Sequence, residues 1–205
     1  IIIQSIVFRI LSTIPSEMIK MTGIDTKGKG KYLKHISMLD EKIIGEMVLH
    51  DEKTIGNKLD ELLNQQATII QKYLGARYDS IEEYNRDAGV QKEPYRMIVV
   101  SNFPEGFDEK NAAKLMSIMK GGPKCGIYVV LDIDDDTKPE YGIDVKKFAE
   151  CGDRIVKTSK GFIKIDFIKE VFFQGTVPDY ELELDRLVEK ETVNLLLDSI
   201  NESAK

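Results

Sequence analysis

The stretch from Pro94 to Asp134 constrains this chain more than any other, because it holds a strand, a loop, a helix and a second strand in order. Met97, Ile98, Val99 and Val100 form an unbroken apolar run rich in β-branched residues, the pattern of a strand buried on both faces of a parallel sheet. The run ends on polar Ser101 and Asn102. After the turn FPEGF, Ala112, Ala113, Leu115, Met116, Ile118 and Met119 recur at helical spacing and predict an amphipathic helix over 108–120. Gly121, Gly122 and Pro123 stop it. A second buried strand, Gly126 to Leu131, runs into an acidic tip of Asp132, Asp134, Asp135 and Asp136. Ligands of open α/β sheets sit beyond the carboxyl ends of the strands. Ser101, Asn102 and Asp132 therefore belong to one rim.

The remaining chain repeats this alternation. Residues 1–14 read as a buried helix, and Ile19 to Ile24 as a strand closing on Asp25. The loop TKGKGK follows, and residues 46–49 read as a further short strand. A long helix over 52–74 carries Ile55, Leu59, Leu62, Leu63, Ile69, Ile70 and Leu74 at threes and fours and ends at Gly75. Ser80 and Glu83 form a capping box for a short helix. Beyond residue 140 the texture changes: a short helix over 143–150, a strand over 154–157, the alternating GFIKIDF at 161–167 read as antiparallel material at the sheet edge, and a final helix over 184–200 with Leu187, Val188, Val193, Leu195, Leu196 and Ile200 as its apolar positions. These elements predict an α/β sandwich with a largely parallel sheet flanked by helices. The core spans 1–140, and 141–205 is a small mixed appendage.

Composition narrows the functional classes. A net charge of -6 over 205 residues argues against a general basic coat for nucleic acid. No stretch approaches the roughly 20 apolar residues of a membrane span. Cys125 and Cys151 have neither metal-site nor disulfide-framework spacing, so a reducing cytoplasm is expected and both read as packing residues. His35 and His50 are far apart and do not read as catalytic. The opening carries neither an initiator Met nor a signal-peptide pattern, which suggests that the natural chain begins further upstream. The TKGKGK loop reads either as a solvated loop or as a polyanion contact, with glycines freeing the backbone for Lys27, Lys29 and Lys31. It lacks the spacing of a phosphate-binding loop.

Over residues 1–135 the order of elements resembles the motor domain of the FtsK/SpoIIIE translocases, RecA-like P-loop ATPases. IIIQSIVFRILSTIPSEMIKMTGIDTKGKG is similar to the segment after that family's phosphate loop, DEKTIGNKLDELLNQQATIIQKYLGARYDSIEEYNRDAG to its long helix and the short helix that follows, MIVV to its Walker B strand, and GPKCGIYVVLDID to the approach to its sensor strand. The resemblance implies ATP and Mg²⁺ as cofactors, DNA as partner and assembly into a ring. It places Asp25, Lys27 and Asp132 toward the nucleotide, Ser101, Asn102 and Glu105 at the catalytic rim, and Lys29 and Lys31 toward DNA, with no resident metal site. Two features depart from the family: no GxxxxGK[ST] loop is present, and Ser101 and Asn102 stand where the family has two acids, the first organising Mg²⁺ and the second orienting water. Nucleotide-dependent DNA translocation is the leading expectation. The alternative is a degenerate ATPase-like module that binds a protein partner.

Overall fold

A computed structural model describes residues 2–45, 47–75, 77–133, 142–158, 161–165, 181–182 and 189–205. The elements are α1 (Ile2–Thr13), β1 (Ile19–Ile24), α2 (Glu41–Ile44), α3 (Glu52–Lys72), α4 (Ile81–Asp87), β2 (Tyr95–Phe103), α5 (Glu109–Gly121), β3 (Ile127–Ile133), α6 (Val145–Ala149), β4 (Arg154–Thr158), β5 (Gly161–Ile165), β6 (Glu181–Leu182) and α7 (Lys190–Ser203). The expected α/β architecture is present: β1, β2 and β3 form a parallel sheet with β2 in the centre.

Side-chain alternation along β2 divides the core into two layers. Ile98 and Val100 face one way and pack with Ile55, Leu59 and Leu62 of α3, Ile81 of α4 and Leu115 and Ile118 of α5. Met97 and Val99 face the other way and pack with Val7 and Leu11 of α1, Ile43 of α2, and Val193 and Leu197 of α7. A strand covered on both sides must be apolar at every position. MIVV satisfies that requirement.

Local chemistry fixes the helix starts. Asp51 accepts from the Thr54 N–H at 2.9 Å and caps α3; Asp108 accepts from the Asn111 N–H at 2.7 Å and caps α5. At α4 the Glu83 N–H donates to Ser80 Oγ, but the Glu83 carboxylate accepts from the Asp79 N–H instead of that of Ser80. The capping box is thus closed one residue earlier than its standard form. Helices α3 and α5 meet at Gly56, where a Cβ would lie 2.9 Å from Asn111 Oδ1. Across the same seam Lys114 Nζ reaches the Gly56 carbonyl at 3.2 Å and Asp60 at 2.7 Å.

Three expectations need correction. The strand read at 46–49 reduces to a single parallel bridge between Leu49 and Ile24, because the chain turns away at once into the Asp51 cap; Glu46 lies outside the described residues. The alternating segment at 161–167 is not an edge of the parallel sheet. Its described part, β5, pairs antiparallel with β4 and β6 in a sheet of its own, which satisfies its ladder locally; Asp166 and Phe167 lie outside the described residues. On α7 the buried positions are Val193 and Leu197, while Leu195 is 69% exposed and Leu196 36%. The run of three leucines fits two helical registers, and the one observed puts Val193 and Leu197 into the layer that holds Val7, Leu11, Ile19 and Met21. Leu187 and Val188 lie outside the described residues.

Among the described residues no helix is long and apolar enough to cross a membrane. The register of α7 has a direct stability test. Leu197→Ala should cost roughly 2–5 kcal/mol in urea unfolding, as buried Leu truncations do, whereas Leu195→Ala should change stability by about 0.5 kcal/mol or less. Equal costs would contradict the register.

Candidate functional site

The loop after β1 is wound around a side chain that precedes it. Asp25 is fully buried at the carboxyl end of β1. Its Oδ1 accepts from the Gly28 N–H at 2.9 Å and from Ser101 Oγ at 2.9 Å, and its Oδ2 accepts from the Tyr32 N–H at 2.9 Å. Two more of the loop's amides also turn inward: Gly30 N–H donates to the Asp25 carbonyl and Lys31 N–H to that of Gly28. Gly28 is required by contact, since a Cβ there would lie 2.3 Å from the Tyr32 ring and 2.6 Å from Asp25 Oδ2. The backbone passes through positive φ at Lys29 (50°) and Gly30 (87°) to complete the turn. A glycine-rich loop whose N–H groups converge is an anion-binding device. Here the anion is the protein's own Asp25 carboxylate.

Ser101 and Asn102 diverge although they are neighbours. The register between β2 and β3 shifts between Val100 and Phe103, and Asn102 takes φ 55°. A bulge of this kind re-aims side chains at a strand end, and Asn tolerates left-handed backbone better than most residues. Ser101 consequently stays buried and gives its proton to Asp25, while Asn102 is only partly buried.

Beside this strand end lies a cleft of about 410 Å³ lined by Ser101, Asn102 and Asp132 from the sheet, Tyr32, Leu33, His35 and Ile36 from the loop, and Ile2, Ile3, Gln4, Val7 and Phe8 from the start of α1. The expected grouping of Ser101, Asn102 and Asp132 at one rim is therefore realised in space. Asp25 touches the rim through Ser101 and does not line the cleft. Lys27, Lys29 and Lys31 are exposed on the flanking loop and do not line it either. Glu105 is exposed on the turn after β2, where its backbone carbonyl accepts from Thr26 Oγ1 at 2.7 Å. Asp134, Asp135 and Asp136 lie outside the described residues.

Sequence reasoning did not bring Phe8 and His35 to this site. Their rings lie 6.1 Å apart. Burial, helped by the charge of Lys34, pushes the His35 imidazole below its ordinary pKa, and its Nδ1 is buried without a hydrogen-bond partner. The apolar face of α1 was the only available signal, and it reads as core. Cys125 matches its expected packing role, since it is fully buried and burial raises its thiol pKa. Among the described residues no cluster of His, Cys, Asp and Glu could hold a metal ion.

The fold is similar to that of solved ATPase domains. Solved structures with this fold include EssC (ATPases 2 and 3) from Geobacillus thermodenitrificans, with TM-score 0.67 and 15% identity over 97% of this chain and 40% of that one. The cytoplasmic domain of the type VII secretion ATPase EccC from Thermomonospora curvata aligns with TM-score 0.56 and 16% identity over 76% of this chain and 19% of that one. The pCW3 conjugation coupling protein TcpA, in its monomer form with ATPγS, aligns with TM-score 0.50 and 14% identity over 84% of this chain and 58% of that one. This chain thus spans less than two thirds of the length of each. No family model and no curated protein sequence matches it.

The Asp25 arrangement carries a stability prediction. Asp25→Ala leaves the Gly28 and Tyr32 amides and the Ser101 hydroxyl without their acceptor. At about 1–3 kcal/mol for each buried unsatisfied group, the loss in urea unfolding should reach at least ~3 kcal/mol. A loss under about 1 kcal/mol would show that the loop does not depend on Asp25.

Proposed function

We propose that this chain is an ATPase-like domain that does not hydrolyse ATP and works by binding a protein partner. One observation carries the reading. At the end of β2, where the resemblance calls for two acids, Ser101 is 3% exposed with its proton committed to Asp25, and Asn102 is neutral. Phosphoryl transfer depends on positioned cations and on a residue that orients the nucleophile. The described residues do not fit MgATP: none of those lining the cleft is Lys or Arg, and the Gly28, Gly30, Lys31 and Tyr32 amides of the flanking loop are spent within the protein. Likeness in fold to a secretion ATPase supports a place in a secretion assembly.

DNA translocation by a ring is the second reading. Lys27, Lys29 and Lys31, exposed together on one loop, favour it, as does the fold likeness to a conjugation coupling protein. In this reading Asp25 and Lys27 would sit toward the nucleotide, and Lys29 and Lys31 would contact DNA phosphates.

Two measurements separate the readings. Purified protein with ATP and Mg²⁺ should release phosphate at the rate of a blank. A turnover that survives repurification and is lost in Glu105→Gln would contradict the proposal. Affinity for duplex DNA should be weak, and the Lys27→Ala, Lys29→Ala, Lys31→Ala triple variant should leave its salt dependence unchanged. If the lysines do bind phosphates, the slope of log K against log salt should instead flatten by about 0.9 for each phosphate that a lysine neutralises.

A further inference from the structure

The rim cleft has a chemical bias that its place in the fold does not require. Its polar end combines amide and hydroxyl groups, which both donate and accept, with a single formal charge among the described lining residues, and that charge is negative. Asp132 contributes an exposed carboxylate, the only formally charged side chain among the described residues that line the cleft, and no ion pair is found for it among the described residues. Ser101 donates its proton to Asp25, so its oxygen can only accept toward the cleft. Asn102, held at φ 55°, adds an amide carbonyl. His35 Nδ1 is buried without a partner. The opposite wall is apolar, formed by Ile2, Ile3, Val7, Phe8, Leu33 and Ile36.

We propose that this cleft binds a primary ammonium carried on an aromatic or branched apolar body. An ammonium brings three donors and no acceptor, the complement of a carboxylate, a hydroxyl oxygen and an amide carbonyl. Its positive charge meets the Asp132 carboxylate, and its apolar body lies against the α1 wall. A cleft of about 410 Å³ falls in the range of roughly 300–1,000 Å³ typical of small-molecule sites. A triphosphate is disfavoured in the same space, because it would face Asp132 with no cation among the described lining residues to neutralise it. The inference rests on the reading that this rim is not a nucleotide site.

The protein contains no Trp, so an indole ligand can be followed by its own fluorescence. The test titrates the full chain into tryptamine, with indole-3-acetate as the charge-reversed control and ATP as competitor. Tryptamine anisotropy should rise saturably, and indole-3-acetate should bind at least about tenfold more weakly. Asp132→Asn should weaken tryptamine by about tenfold, the scale of one charge-assisted hydrogen bond, without altering the unfolding midpoint. Phe8→Ala should weaken both indoles together. Absence of saturable tryptamine binding, equal affinity for the two indoles, or an unchanged affinity in Asp132→Asn would overturn the ammonium inference. Saturable ATP binding that displaces tryptamine would overturn the reading of the rim beneath it.

Discussion

The carboxyl rim of this domain depends on the burial of one charge. A carboxylate removed from water is stable only when its oxygens are fully hydrogen-bonded, and Asp25 meets that condition with two backbone amides and the Ser101 hydroxyl. Because the amides come from the loop after β1 and the hydroxyl from the end of β2, the same contact joins two parallel strands and shapes the loop between the sheet and the cleft. Gly28 follows from it, since only a residue without Cβ leaves room for the Tyr32 ring beside the carboxylate. The position of Ser101 also follows, and with it the outward turn of Asn102.

That arrangement has a functional cost and a functional product. A glycine-rich loop at the carboxyl end of a strand would ordinarily offer its N–H groups to a phosphate. In this chain the amides of Gly28, Gly30, Lys31 and Tyr32 are committed internally, and an acid at residue 101 would face Asp25 at hydrogen-bond distance. Beside it the cleft keeps its apolar wall from α1 and one exposed carboxylate at Asp132. The fold rests on the two apolar layers around β2, whereas any activity would rest on a few side chains at the strand ends.

Much of the architecture was legible in the sequence. Strand β1 coincides with its apolar run from Ile19 to Ile24, β2 grew from MIVV, and the cap at Ser80 sits where the sequence placed it, whereas Asp108, read as the first residue of its helix, is that helix's cap. What failed did so for physical reasons. The leucines of α7 permit two registers until a partner layer chooses one, and Val48 and Leu49 have strand-forming side chains but only one residue of room beside β1. At the rim, Ser101, Asn102 and Asp132 could be grouped from strand ends alone. The bond between Asp25 and Ser101, 76 residues apart, has no local signature. Nor has the meeting of Phe8 with His35, since each reads locally as core or loop.

The central claim is that the loop's donors are already occupied by Asp25. It is tested most directly by the amide resonances of Gly28 and Tyr32 in ¹⁵N-labelled protein during addition of ATPγS and Mg²⁺. The account predicts that both amides exchange slowly with solvent and keep their chemical shifts throughout the titration. Saturable shifts at these two amides, with loss of their protection from exchange, would show that the loop releases Asp25 to take a phosphate and would contradict it.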